Sequence, residues 1–384
     1  MNPIDELRAA RPAHLGDAPV DERTRAAELS YAMSQPRRAR SRRRTRPAWG
    51  ISLAGAAAVA AAAVVVTGTG GTAPRAPDVA LPAVTASTDA PKIELSAREV
   101  LLAAAENADR QPDGTGAFWH TVSVSRNLYR AEEGGYLVED RSRSEGWTPR
   151  ATGGDQWARS RSLGARPVTE ADEAAWRQAG SPAEIRVEMS AKRIGPALST
   201  SPGAAKTSHT PLVDGDKVFW LGRNVTMKDL RALPSDPGRL KAWLLRSYGG
   251  HGTESDGERM SADLWLFTVS AGLITDMPVT PQVRGAAFRM LAELDTVELV
   301  ENVTDAEGRQ GTAVAIEQEV RAKVTDEEHA GVVRNRLIFD ESTGRALAND
   351  SVVVKPGGLQ AGFEPGTVWH STVVLEAGWT DSKP

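Results

Sequence analysis

Ten residues ahead of a long apolar run constrain everything this chain can build. Residues 37–46 read RRARSRRRTR and hold seven arginines, and Gly50–Thr67 then read GISLAGAAAVAAAAVVVT without a single charge. At about 1.5 Å rise per residue, a helix over this run would reach roughly 27 Å, close to the hydrocarbon thickness of a bilayer. The next basic residue is Arg75. Positive charge stays on the cytoplasmic side, so the expected topology is one span with the N-terminus inside and the remainder outside. The orienting residues are Arg37, Arg38, Arg40, Arg42, Arg43, Arg44 and Arg46, facing anionic lipid headgroups, with Trp49 at the interface.

A secretory signal peptide is the competing reading, with cleavage after Ala73 or Ala86. Such a signal has an apolar core of about 7–15 residues behind a short basic region. Here the run is longer and 49 residues precede it, so a retained anchor is favoured. Eight alanines make the run weakly hydrophobic, which leaves insertion dependent on the flanking charge. Gly50, Ala54, Ala58 and Ala62 form a small-residue stripe of the kind that lets two membrane helices pack closely, or that an alanine-rich run contains by chance.

The charge is partitioned. Residues 1–47 contain eleven arginines and six acids, leaving 35 basic and 44 acidic residues for the rest. An acidic outer domain is poorly suited to nucleic acid, which is excluded as a partner. Cysteine is absent, which removes disulfides, thiolate metal sites, thiol nucleophiles and an acylated cysteine. Nine of the ten tryptophans follow the span and supply large surfaces to bury.

Four segments result: a short cytoplasmic head over 1–47, the transmembrane helix over 48–67, a linker over 68–91 and an extracytoplasmic domain over 92–384. The head carries short helical stretches around Pro3–Ala10 and Val20–Met33, read either as a solvated juxtamembrane helix or as a docking segment for a cytoplasmic partner. The linker is too rich in proline, glycine and small polar residues to order itself.

The outer domain reads as α+β, a curved antiparallel sheet with packed helices. Ser96 and Glu99 match a capping box before the amphipathic Val100–Asn107. Phe118–Tyr129, Tyr136–Trp147 and Trp157–Leu163 read as strands, and Thr169–Gln178 as a helix with Ala174, Ala175 and Trp176 facing inward. Gly195–Thr210 reads as a loop. Helical spacing then takes over in Met227–Ala232, Gly238–Tyr248, Met260–Ile274 and Gln282–Leu294. The third is too short to span a bilayer and is expected to be a core helix contacting the sheet through Leu264, Trp265, Phe267 and Leu273. Strands return at Val297–Val303, Thr312–Val320, Val332–Asp340, Arg345–Val354 and Thr367–Ala377.

This order of elements resembles the lipoprotein-carrier architecture. The resemblance rests on SEGWTPRATGGDQWARSRS (144–162) and VDGDKVFWL (213–221) as adjoining strands, on the proline-entered helix LPSDPGRLKAWLL (233–245), and on the hairpin LIFDESTGRAL (337–347). It implies a sheet wrapped around helices over an apolar cavity. A second resemblance covers nearly the whole chain. DELRAARP (5–12), the arginine-flanked span, LPSDP (233–237), RGAAFRMLAELDTVELV (284–300), DAEGRQGTAV (305–314) and LIFDESTGRAL resemble a family of actinobacterial single-pass membrane proteins of uncharacterised function. Its members are often encoded beside extracytoplasmic-function sigma factors, which implies a role in envelope signalling. No active-site residue follows from it. Zinc-binding anti-sigma factors use a His/Cys cluster, and the head here has His14 alone.

No residue pattern points to a cofactor, a metal or a catalytic set. The six histidines (14, 120, 209, 251, 329 and 370) show no metal-ligand spacing. His120 and His370 each follow a tryptophan and are candidates to neighbour one another across a sheet. Tyr248–Gly252 is glycine-rich but lacks the lysine of a phosphate loop. Asp326, Glu327 and Glu328 read as a solvated acidic turn. Trp119, Trp147, Trp157, Trp220 and Trp369 all fall on expected strands and are candidates to line one concave face. Two functions remain. One is a binding or sensing domain for an apolar ligand or a protein. The other is an envelope enzyme whose polar groups converge only in three dimensions. An apolar, aromatic cavity would favour the first, and clustered carboxylates or histidines with shifted pKa the second.

Overall fold

Ser96 begins the described residues with the expected reciprocal cap. Its side chain accepts from the Glu99 backbone N–H, and the Glu99 carboxylate accepts from the Ser96 N–H at 2.8 Å. Two of the four donors that a helix start leaves unpaired are thereby satisfied. The computed structural model describes residues 96–384, apart from 191–192, 222, 253–258 and 325–326. The head, the apolar run and the linker lie outside the described residues, and so do Arg37, Arg38, Arg40, Arg42, Arg43, Arg44, Arg46 and Trp49. Among the described residues no helix is long and apolar enough to cross a membrane.

Helix α1 (Ala97–Asp109) leads into a meander of three long strands, β1 (Phe118–Ala131), β2 (Leu137–Pro149) and β3 (Asp155–Pro167). Helix α2 (Glu170–Gln178) follows, then the shorter strands β4 (Glu184–Ser190), β5 (Arg193–Ser199), β6 (Lys206–Pro211), β7 (Lys217–Trp220) and β8 (Arg223–Thr226). The helical middle holds α3 (Met227–Arg231), α4 (Pro237–Leu245), α5 (Ala262–Thr275) and α6 (Pro281–Leu291). The chain closes with β9 (Glu298–Thr304), β10 (Gln310–Val324), β11 (Glu327–Asp340), β12 (Arg345–Lys355) and β13 (Val368–Thr380).

One eleven-stranded sheet gathers nearly all the strands, in the order β6-β3-β2-β1-β13-β12-β11-β10-β9, with β4 and β5 attached beside the end of β1. Neighbouring strands pair antiparallel, as short hairpin connections allow. The last strand makes the join: β13 lies between β1 and β12, pairing Phe118 with Thr380 and Asn127 with His370. An N-terminal and a C-terminal meander thus become one sheet. The α+β class holds.

The helices cover the face that carries Trp119, Val314, Ile316, Leu337 and Phe339. Helix α6 packs against α1, α4 and α5, and α5 also touches β10 and β12. Ten of the fourteen residues of α5 are buried, among them Leu264, Trp265, Phe267 and Leu273. An apolar surface all the way round fits only a helix enclosed on every side. The core reading of this segment is therefore right. Gly285 is what lets α1 approach α6: a Cβ there would lie 2.9 Å from the Ala105 carbonyl oxygen and 2.8 Å from Asp109 Cγ.

Several expectations need correction. Gly195–Thr210 is not a loop: its start belongs to β5, which pairs with β4, and its end to β6, which pairs with β3. Every residue of β6 is exposed, so it carries no alternating pattern and owes its form to the edge of β3. In α2, Ala175 and Trp176 are half-buried but Ala174 is exposed. Residues 144–162 do form the β2–β3 hairpin, whereas 213–221 lead into a separate two-stranded hairpin of β7 and β8. Residues 337–347 form the β11–β12 hairpin as expected.

Candidate functional site

Where the helical layer meets the ends of β12 and β13, a cleft of about 480 Å³ opens. Its walls come from the segment after α1 (Gln111–Gly114), the end of α5, the start of α6, the β11–β12 turn, and β13 from Val374 to Trp379, with Trp119 inside. Each wall is held by local rules. Thr280 caps α6 through its side chain, which accepts from the Val283 N–H, and Pro281 takes the first helical position, where no donor is needed. Arg284 therefore sits one turn into α6, on the same stripe as the buried Phe288 and Leu291.

The turn that carries Arg345 is equally constrained. The Asp340 carboxylate accepts from the Ser342 hydroxyl at 2.7 Å and the Thr343 hydroxyl at 2.8 Å. Gly344 has φ +65°, and a Cβ there would meet the Ala104 carbonyl oxygen at 2.5 Å and the Ala108 nitrogen at 2.6 Å. A glycine lets the turn adopt this conformation and rest directly on α1. Gln111 Nε2 adds a bond to the Thr343 carbonyl at 3.0 Å.

The aromatic side of the cleft is an edge-to-face pair, Trp119 and Trp379, with ring centroids 5.4 Å apart. Trp119 Nε1 donates to the Asp276 carbonyl at 2.6 Å. The Arg150 guanidinium lies 4.0 Å from the Trp379 ring centroid, and Arg231 approaches the same ring at 5.4 Å. Cation–π contacts of this kind hold the indole in place.

Most charges of the lining are already committed. Asp113 pairs with Arg231. Arg309 donates to Asp305 at 2.6 Å and to the Leu347 carbonyl at 2.8 Å. Glu376 turns to His120, 3.0 Å away. Two guanidinium groups are left. Arg345 is exposed, and among the described residues no carboxylate pairs with it. Arg284 donates through Nη2 to the Met277 carbonyl at 3.3 Å, while its Nε is shut off from solvent with no partner. Burial lowers the pKa of Arg284 to about 10, the charge of Arg345 adds to this, and Asp113 and Asp276 act against it. Asp276 keeps a partly exposed edge, yet poor solvation of its carboxyl pushes the pKa up to about 7.

The residues singled out in the sequence fare differently. Trp119 lines the cleft, but it pairs with Thr148 while Trp147 pairs with His120, so the two indoles point to opposite faces of the sheet. Trp157 stacks on His209 at 4.5 Å, and Trp220 packs on Trp243 in the β7–β8 region. Trp369 belongs to a separate cluster with Leu128, Val333, Val353 and Phe363. The five tryptophans do not share a face. His120 and His370 are not neighbours either: His120 stacks on Trp147 at 4.6 Å, whereas His370 bonds Asn127 at 3.0 Å seven residues along β1. Burial lowers the pKa of His370 to about 4.

The far side of β1–β3 holds an ion-pair cluster in place of an apolar lining. Glu139 is buried between Arg126 at 3.3 Å and Arg166 at 2.9 Å, and Glu307 reaches Arg126 at 2.6 Å. Sequence reading missed Arg284, Asp276, Arg345 and Trp379. One signal was present: Arg284 occupies the apolar stripe that continues through Phe288 and Leu291, where a charge needs a reason. No protein-family model, curated protein or solved structure matches this chain.

Proposed function

We propose that the domain over 92–384 is a ligand-binding module, the sensing part of a membrane-tethered protein, with the cleft at Trp119 and Trp379 as its binding site. One observation carries this reading. The uncommitted groups of the cleft are guanidinium and indole, which recognise and hold ligands, while Asp113, Asp340 and Glu376 are each tied to a structural partner. Among the described residues no histidine lines the cleft: His120 faces Glu376 from outside the lining, His209 faces Asp155, His251 lies 2.9 Å from the Gly252 carbonyl and His370 faces Asn127. A nucleophile with an adjacent base, the minimum for acyl or phosphoryl hydrolysis, is not assembled in this lining. The cleft is more polar than the lipid cavity implied by the carrier resemblance, so the expected cargo is a small amphipathic molecule.

The membrane part of the proposal rests on the arginine block and the apolar run, and the signalling part on the family resemblance. Envelope catalysis is the competing reading, and the raised pKa of Asp276 is what favours it. The test is a screen of the full chain in detergent against a library of neutral, cationic and anionic small molecules. Saturable changes in tryptophan emission, lost in Trp379→Leu, are expected from at least one compound. Turnover of a library member, abolished by Asp276→Asn in a protein of unchanged fold, would replace binding with catalysis.

A further inference from the structure

A half-buried guanidinium that lines a cavity without a carboxylate partner is an unfinished site. Arg284 has Nε out of solvent and unpaired, and it lines a cavity large enough for a small molecule. Its one hydrogen bond, from Nη2 to the Met277 carbonyl at 3.3 Å, leaves the positive charge without a counter-ion, and a partly buried charge is stabilised by one. Arg345, which lines the same cavity, contributes a second charge without a carboxylate partner, close enough to affect Arg284. The lining carries three arginines (284, 309 and 345) and three acids (Asp113, Asp340 and Glu376); Asp113 is held by Arg231, Asp340 by Ser342 and Thr343, Glu376 by His120 and Arg309 by Asp305, which leaves Arg284 and Arg345 without a carboxylate partner. Two like charges thus line one cleft together with the N-terminus of α6, where the helix dipole also favours an anion.

We infer that the ligand carries a carboxylate or phosphate group, bound between Arg284 and Arg345, with its remaining part against Trp119 and Trp379. This rests on the binding reading above and adds the chemical class. An oxyanion in the cleft gives two guanidinium groups that lack a carboxylate partner a shared counter-charge, and a planar guanidinium matches its geometry. The indole pair accepts a flat or apolar group beside it. A purely apolar ligand would leave both arginines unpaired.

Four probes separate the possibilities: phenyl phosphate, benzoate, inorganic phosphate and the neutral benzyl alcohol. They are titrated into the full chain in detergent, following the tryptophan emission that Trp379→Leu removes. Phenyl phosphate or benzoate should saturate, with benzyl alcohol at least about tenfold weaker, the ratio for one charge-assisted bond of about 1.4 kcal/mol. Inorganic phosphate separates the headgroup from the ring: competition against phenyl phosphate alone marks a phosphate site, and failure to compete beside strong benzoate binding marks a carboxylate site. Arg345→Ala, at an exposed position, should fold normally and weaken the anions by about tenfold while leaving benzyl alcohol unchanged. Arg284→Gln should do the same, and Arg345→Lys should recover part of the loss. Equal binding of benzyl alcohol and the anions, or anion binding indifferent to both arginine variants, would overturn the inference while the binding reading stands. Silence of all four probes, with a hit in the wider library that is not an oxyanion, also overturns it. Silence of that library too removes the binding reading itself.

Discussion

Replacing Asp276 by asparagine should change how stability depends on pH, and the structure gives the sign. The carboxyl is poorly solvated beside the end of α5, which raises its pKa to about 7 against an ordinary value near 3.8. Between those values the folded protein keeps a proton that the unfolded chain has released. Stability from this group is therefore complete below about pH 4 and is lost as pH rises through 7. The gap spans about three pKa units at about 1.4 kcal/mol each, so the full effect is at most about 4 kcal/mol. The partly exposed edge of Asp276 lets water reduce it, to about 2 kcal/mol or less if screening halves it. His370 acts in the opposite sense: its pKa is lowered to about 4, so its contribution is present above about pH 6.5 and is lost as pH falls through 4. Since His370 is common to both proteins, it cancels in the difference. Asp276→Asn keeps the shape and removes the titration. Urea unfolding at matched m-values should show the variant close to the parent near pH 4 and more stable by up to about 2 kcal/mol near pH 8. Parallel curves for the two proteins across that range, or a variant less stable at the alkaline end, would refute the argument that burial controls this carboxyl.

Trp265 is 1 % exposed in the helix enclosed on all sides, and Trp265→Ala should cost about 3–5 kcal/mol in urea unfolding; a variant that melts like the parent would place α5 outside the core. Gly285→Ala sets a helix-propensity gain of about 1 kcal/mol against a clash with the Ala105 carbonyl, which cannot rotate away, and with Asp109, whose other oxygen holds Arg289 at 2.6 Å. Overpacking of about 1–3 kcal/mol should win, so this variant melts lower than the parent, while Gly238→Ala in α4, whose Cβ would meet no atom closer than 3.5 Å, should not. Joint replacement of Arg37, Arg38, Arg40, Arg42, Arg43, Arg44 and Arg46 should scramble orientation, read by protease access to the outer domain in intact protoplasts. A soluble, cleaved domain as the main product of the parent would remove the anchor.

Local physical chemistry in the sequence was enough to locate the cap at Ser96, the helix entered at Thr169, the buried helix read over 260–274, the 337–347 hairpin and most strands. Those signals act within a few residues: a side chain bonding its own backbone, or apolar positions repeating at 3.6 or 2. The edge strand β6 was illegible because it has no apolar alternation and exists only by pairing with β3. The five tryptophans could not be assigned to a face, because which side a residue takes depends on the register of its neighbours, and one step reverses it. Trp119 and Trp147 differ in just this way. The cleft is likewise a product of tertiary structure. Arg284 and Arg345 are 61 positions apart, and only the packing of the β11–β12 turn on α1, and of α1 on Gly285, brings them into the lining of one cavity. Whether a charge is spent in a pair or left to meet a ligand depends on what stands beside it in space, and that was decided by the fold.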